Sequence, residues 1–225
     1  MKSNKLLLAL LAGTMIATSC NSDKTTVDLS TTDSAKMSSM GKDTSDAKMG
    51  MDEMHKNGSM SSMTAMMDKM KEIKMTGDFD IDFASMMIEH HQGAIDMSEA
   101  ELKSGTDEKM KAMAQNIITM QKEEQGKLNA IIKNNKPMKM NMGQGDALNK
   151  AMDDMKTKMG DMKMNGNPDK DFAVLMIIHH AGATRMAKDE LSYGMKAGLK
   201  QMATKMIADQ TKEIMEFKSW LATQK

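Results

Sequence analysis

Asp82 to Leu102 reads DFASMMIEHHQGAIDMSEAEL, and Asp171 to Leu191 reads DFAVLMIIHHAGATRMAKDEL, 89 residues further on with no gap. Four of the five histidines occupy matched places, as His90-His91 and His179-His180. The same register pairs Met63 with Met152, Met66 with Met155, Met70 with Met159, Gly77 with Gly166, Met97 with Met186, Gln121 with Gln210 and Glu124 with Glu213. Self-similarity at one fixed spacing is an internal duplication.

Working outward, each copy reads as three helices, because apolar residues recur at helical spacing and the whole chain holds two prolines. A short first helix carries Met63, Met66, Met70 and Ile73, or Met152, Met155, Met159 and Met162. Gly77 and Gly166 then stand where helix C-caps belong. The second helix starts near Asp78 or Asp80. In the other copy it starts at Asn167-Pro168, a cap followed by proline at the first helical position. Gly105 and Gly194 end these helices. The third runs from about Thr106 to Lys133, with Met113, Ile117, Met120, Glu124 and Leu128 on one face, and Asn134-Asn135-Lys136-Pro137 stops it. Its counterpart carries Met202, Met206, Glu213, Phe217 and Trp220. Two long helices per copy make four, enough to enclose one core as an antiparallel all-α bundle, with the short Met-rich helices across an end or a side. A loop rich in Gly, Asn, Lys and Met, from Lys136 to Asp146, joins repeat one (59–136) to repeat two (148–225) within a single domain, 59–225.

Ahead of that domain, residues 1–19 have the order of a secretory signal: Lys2 and Lys5, an apolar run from Leu6 to Ile16, then Ala17-Thr18-Ser19 before Cys20. Small residues before the only cysteine resemble the cleavage box of bacterial lipoproteins, which predicts Cys20 as the lipidated N-terminus of an envelope protein. The expected site is the periplasmic face, the outer membrane ahead of others because no Asp follows at position 21, or the cell surface. Residues 20–58 hold Ser, Thr, Asp, Lys, Gly and Met with almost no branched or aromatic side chain, and read as a disordered tether.

With 31 basic and 31 acidic residues, no net field points to nucleic acid. Methionine is the anomaly: 33 residues, against one Trp, one Tyr and four Phe. An exported chain with one cysteine has no thiolate metal site, so its soft ligands must be thioethers. At about 100° per residue, Met86, Met87, His90, Ala94, Met97 and Glu101 share one sector of the second helix with Phe83. Copy two places Met176, His179, Ala183, Met186 and Glu190 there. His91 and His180 stand about 100° round, facing a neighbouring helix or a separate site. Gly93 and Gly182 leave room beside the first histidine of each pair. Histidines with methionines one turn before and two turns after suit Cu(I), with Ag(I) and Cu(II) as alternative cargoes. Thiolate-free helices lack the usual zinc set. A di-iron bundle uses Glu-x-x-His, whereas Met87 and Met176 occupy the place three before each histidine. Glu101 and Glu190, or Glu124 and Glu213, are candidates to hydrogen-bond imidazole or to supply charge near the ion. For Glu101 and Glu190 the alternative is pairing with lysines or a wet bundle end.

Eleven methionines lie between Met37 and Met75 and eight between Met138 and Met164. They read as exchangeable Cu(I) sites, as apolar helix faces, or as an oxidation sink. Met40, Met49, Met51 and Met54 have no helix face to serve, which favours metal capture, and His55 would join them.

These phrases, with Gln121-x-x-Glu124, Gln210-x-x-Glu213-Ile214 and Trp220-Leu221, resemble the domain-of-unknown-function 305 family across roughly Met63 to Leu221. Met-x-x-His-His-x-x-Ala-x-x-Met matches Met87, His90, His91, Ala94 and Met97, then Met176, His179, His180, Ala183 and Met186. The resemblance implies a ferritin-like helical bundle, and CopM-type members are exported copper-binding proteins linked to copper resistance. Copy two departs with Ala181 where Gln is usual and with Thr184-Arg185 for Ile-Asp. Every candidate ligand stays in place, but equal affinity of the halves does not follow.

The sequence therefore predicts a lipid-anchored Cu(I)-binding protein that sequesters the ion or passes it on, with copper efflux or chaperone proteins as partners. Neither a catalytic constellation nor a phosphate loop is recognised, so no enzyme is expected. A methionine-rich structural or oxidation-scavenging lipoprotein is the alternative from another class, and a metal-dependent oxidase the third. Proton competition separates the first two, since imidazole must be neutral to ligate.

Overall fold

The computed structural model describes residues 58–138 and 144–224, and among them every regular element is a helix. The expected signal segment, the lipidation at Cys20, the tether methionines and His55 lie outside the described residues. Six helices follow in order: α1 Gly58–Glu72, α2 Phe79–Ser104, α3 Glu108–Asn134, α4 Gly145–Gly160, α5 Pro168–Tyr193 and α6 Ala197–Thr223. Two sets of short, long, long reproduce the duplication. α2 and α5 form the inner pair, with α3 packed along α2 and α6 along α5. The Met-rich α1 and α4 each touch both inner helices, so they cover a side of the pair.

Local signals account for the helix starts. Asp78 caps α2 by accepting from the Ile81 N–H at 3.2 Å, and Asn167 caps α5 by accepting from Lys170 N–H at 2.9 Å, with Pro168 next. Asp107 caps α3 through the amides of Lys109 and Met110. The first-helix ends differ from expectation. α1 stops at Glu72 and α4 at Gly160, so Ile73 and Met162 fall just outside them. Gly77 and Gly166 are not their C-caps; they are left-handed turn residues, φ 84° and 82°, immediately before the α2 and α5 caps. Asp82 holds the first turn by accepting from Thr76 N–H, Thr76 Oγ1 and Gly77 N–H, and Asp171 holds the second through Asn165 N–H and Gly166 N–H. A carboxylate inside the helix and a residue able to adopt positive φ together fix how the chain enters α2 and α5.

Gly105 and Gly194 do end α2 and α5, but in extended backbone, φ −69° and −65°, that any residue can adopt. Glycine is required there by contact. A Cβ on Gly105 would meet the folded-back carboxyl of Glu101 and the Glu101 carbonyl oxygen at 2.7 Å, and one on Gly194 the Glu190 carboxyl and its carbonyl oxygen at 2.6 Å.

The inner helices run antiparallel, stitched at both ends by matched contacts. Asp169, at the start of α5, accepts from Thr106 N–H, Thr106 Oγ1 and Asp107 N–H at the α2–α3 corner. Asp80, at the start of α2, accepts from Met195 N–H and Lys196 N–H at the α5–α6 corner. This arrangement brings the midpoints of α2 and α5 together, and the histidine pairs lie at those midpoints. No helix among the described residues is long and apolar enough to cross a membrane.

Candidate metal centre

All four paired imidazoles are fully buried. His90 and His179 face each other across the crossing of α2 and α5, ring centroids 3.7 Å apart and planes tilted by 41°. The His179 Nε2–H donates to the backbone carbonyl of His90 at 2.8 Å. Since a carbonyl only accepts, this bond fixes the tautomer: in neutral His179, Nδ1 keeps its lone pair, and it has no hydrogen-bond partner. Neither nitrogen of His90 has one. Burial, reinforced by the neighbouring histidines, pushes both rings well below the ordinary imidazole range. They are held neutral, the form that donates a lone pair to a cation.

The second histidine of each pair turns to the outer helix of its own copy. His91 Nε2 lies 2.9 Å from Glu124 Oε2 on α3, in a hydrogen bond. His180 Nε2 lies 2.9 Å from Glu213 Oε2 on α6, within ion-pair distance but without hydrogen-bond alignment. Both glutamates are largely covered, 13 % and 15 % exposed. Glu124 and Glu213 thus stand against imidazoles, and Nδ1 of His91 and of His180 is left unpartnered. A ring nitrogen tied to a carboxylate is oriented and made more basic at its other nitrogen.

Glu101 and Glu190 are placed elsewhere. Each is ten residues beyond its second histidine, roughly 15 Å along the helix, and neither meets a lysine ion pair. Glu101 lies against Asp169 and Glu190 against Asp80, at the two stitched ends. Burial first, then the neighbouring aspartates, raise Glu101 to about 8 and Glu190 to about 9. With these values each glutamate carries its proton at neutral pH, beside an aspartate carboxylate. Burial alone would raise Asp169 too, but donation from Asp107 N–H, Glu101 and Thr106 outweighs it, so the proton resides on glutamate.

Met86, Met87, Met97, Met176 and Met186 are all buried in the core, one turn before or two turns after the histidines of their own helix. Two further thioethers come from the short helices. Met66 of α1 seats on Gly93: a Cβ there would lie 2.5 Å from Met66 Sδ. Met155 of α4 seats on Gly182, where a Cβ would lie 3.0 Å from Met155 Sδ and 3.4 Å from His90 Nε2. The missing side chain therefore lets a thioether sulfur and a free imidazole nitrogen both approach the α5 backbone at Gly182. The 89-residue register pairs the glycines and matches Met66 to Met155, but helical spacing does not place these sulfurs in the space the glycines leave. Among the described residues, no group of three or more His, Cys, Asp or Glu is arranged to hold a metal ion.

A crystal structure of a DUF305 fragment from Deinococcus radiodurans is similar over 65% of this chain and 97% of that one, at 19% identity and a TM-score of 0.49. No curated protein matches the sequence. The model of the domain of unknown function DUF305 matches residues 26–132 and again 80–221, together most of the chain and both His-His phrases. The chain belongs to the DUF305 family.

Proposed function

We propose that this protein is an exported, lipid-anchored Cu(I)-binding protein that sequesters copper or passes it on, with Ag(I) as a second cargo. One observation carries the reading: His90 and His179 are buried, neutral and 3.7 Å apart, with three of their four ring nitrogens unpartnered. A core histidine retained only for packing normally satisfies its buried polar atoms. A soft, monovalent ion needs neutral donors such as these. His90 Nε2 beside Met155 Sδ, and His179 Nδ1, are the donor atoms this reading uses. His91 and His180, each against a glutamate, steady the crossing and offer Nδ1 as further donors. Met86, Met87, Met97, Met176 and Met186 supply thioethers along the same helices.

The family's CopM-type members support copper as cargo and a ferritin-like ancestry for the bundle. Delivery to an efflux or chaperone protein, anchoring through Cys20 and a periplasm-facing location belong to the same proposal, the last two on the pattern of residues 1–20. Anaerobic Cu(I) titration of the full chain, against His90→Ala/His179→Ala and a tether deletion, tests it. The double variant should lose the tightest class of sites while the tether deletion keeps it. Equal tight uptake by the histidine variant would place copper elsewhere and end the reading.

A further inference from the structure

The two copies share their ligands but differ in what surrounds them. On the copy-two side a groove of about 200 Å³ opens between α4 and α5, lined by Ala151, Met155, Ile178, Ala181, Gly182 and Arg185 among others. The groove thus reaches Gly182 and Met155, and the buried His90 Nε2 lies behind them, 3.4 Å from where a Cβ on Gly182 would stand. Arg185 of the lining approaches Asp154 at 3.9 Å and Asp189 at 3.3 Å, so two carboxylates meet its charge, and Lys158 lines the groove beside them.

The copy-one side is built differently. Gln92 stands where Ala181 does, and donates to Asp96 Oδ1 at 2.7 Å while Gln125 of α3 donates to Ile88 O and reaches Gln92 Oε1 at 3.3 Å. Met66 lies closer over Gly93 than Met155 does over Gly182. A cavity on the copy-one side is lined by Lys69, Glu72, Ile73 and Glu89, without Met66 or Gly93.

Resting on the metal-binding reading above, we propose that a soft monovalent cation reaches the His90/His179 pair from one side only. It passes through the α4–α5 groove at Ala181 and Gly182, meets Met155 Sδ first and transfers to His90 Nε2. A thioether at the boundary between solvent and a buried imidazole lets the ion shed water against sulfur before it is enclosed. Alanine at position 181, where copy one has Gln92, leaves this path open.

Two measurements on the full chain test this. In anaerobic transfer of Cu(I) from a chromophoric chelator, the phase abolished by His90→Ala/His179→Ala should slow at least tenfold in Ala181→Gln, with its end point unchanged. Adding Gln92→Ala to that variant should restore speed by opening the other side. Without metal, tert-butyl hydroperoxide should oxidise Met155 faster than Met66 by peptide mass spectrometry, and Ala181→Gln should remove the difference. Histidine-dependent uptake whose rate ignores Ala181→Gln overturns the path alone, as does equal oxidation of the two methionines. Copper uptake indifferent to both histidines overturns the metal reading and the path with it.

Discussion

His179 gives its Nε2 proton to the backbone oxygen of His90, and His90 returns no hydrogen bond to α5. Leaving a buried polar group unpaired costs about 1–3 kcal/mol. His90→Leu fills the same core with an apolar side chain and should stabilise the metal-free protein by about 1 kcal/mol in urea unfolding while eliminating histidine-dependent copper uptake. A variant that is instead markedly less stable would mean that His90 has a partner after all.

His91 depends on Glu124 more than His180 does on Glu213, because only the first contact is aligned as a hydrogen bond. Glu124→Ala strands a buried ring N–H and should cost about 1–3 kcal/mol. Glu124→Gln keeps an acceptor oxygen and should cost less, and Glu213→Ala should fall below Glu124→Ala. Equilibrium unfolding of the three variants, all without metal, gives the order directly.

The raised acids Glu101 and Glu190 make stability depend on pH in a defined direction. They face Asp169, Asp107 and Lys111 at one end, and Asp80, Asp78 and Lys200 at the other. The folded chain keeps their protons at pH values where the unfolded chain has lost them, so stability falls as pH rises. The fall begins near the ordinary carboxyl value of about 4 and levels off as the folded acids ionise near 8 and 9. Glu101→Gln/Glu190→Gln places an uncharged amide beside each aspartate and has no proton to lose. Its advantage over the parent in thermal midpoint should grow steadily from pH 5 to pH 9. A gap between the two that stays constant across this range would show that both glutamates are ionised in the fold.

Gly105→Ala and Gly194→Ala ought to be harmless by backbone conformation alone. Each Cβ nevertheless lands on a glutamate carboxyl and on a backbone oxygen that cannot swing away. We expect a loss of about 1–3 kcal/mol for each, the range of an overpacked site. Thermal unfolding that leaves either variant as stable as the parent would show that the corner relaxes freely.

The sequence made the long helices legible because their boundaries are local. Asp78, Asn167 and Pro168 cap through neighbours a few residues on, and the 89-residue register carried each assignment to the other copy. Gly77 and Gly166 misled because positive φ serves a helix end and a turn before a helix equally well. Glu124 and Glu213 could be matched to imidazole because adjacent antiparallel helices put them opposite the His-His pair. The partners of Glu101 and Glu190 could not, since Asp169 and Asp80 belong to the opposite copy and are brought near only by the crossing. Met66 and Met155 were hidden for a similar reason. Helical spacing identifies their apolar face without telling which glycine it covers.

The stitching by Asp80 and Asp169 has a consequence for symmetry. Each half offers the other the same carboxylate and the same corner, as in an isologous interface between identical subunits. Joining those subunits into one polypeptide fixes their ratio and lets them diverge across the axis. Within one polypeptide the two flanks differ in every molecule, so a donation that runs from His179 to His90 but not back, and a glutamine on one flank where the other has alanine, are fixed by the sequence.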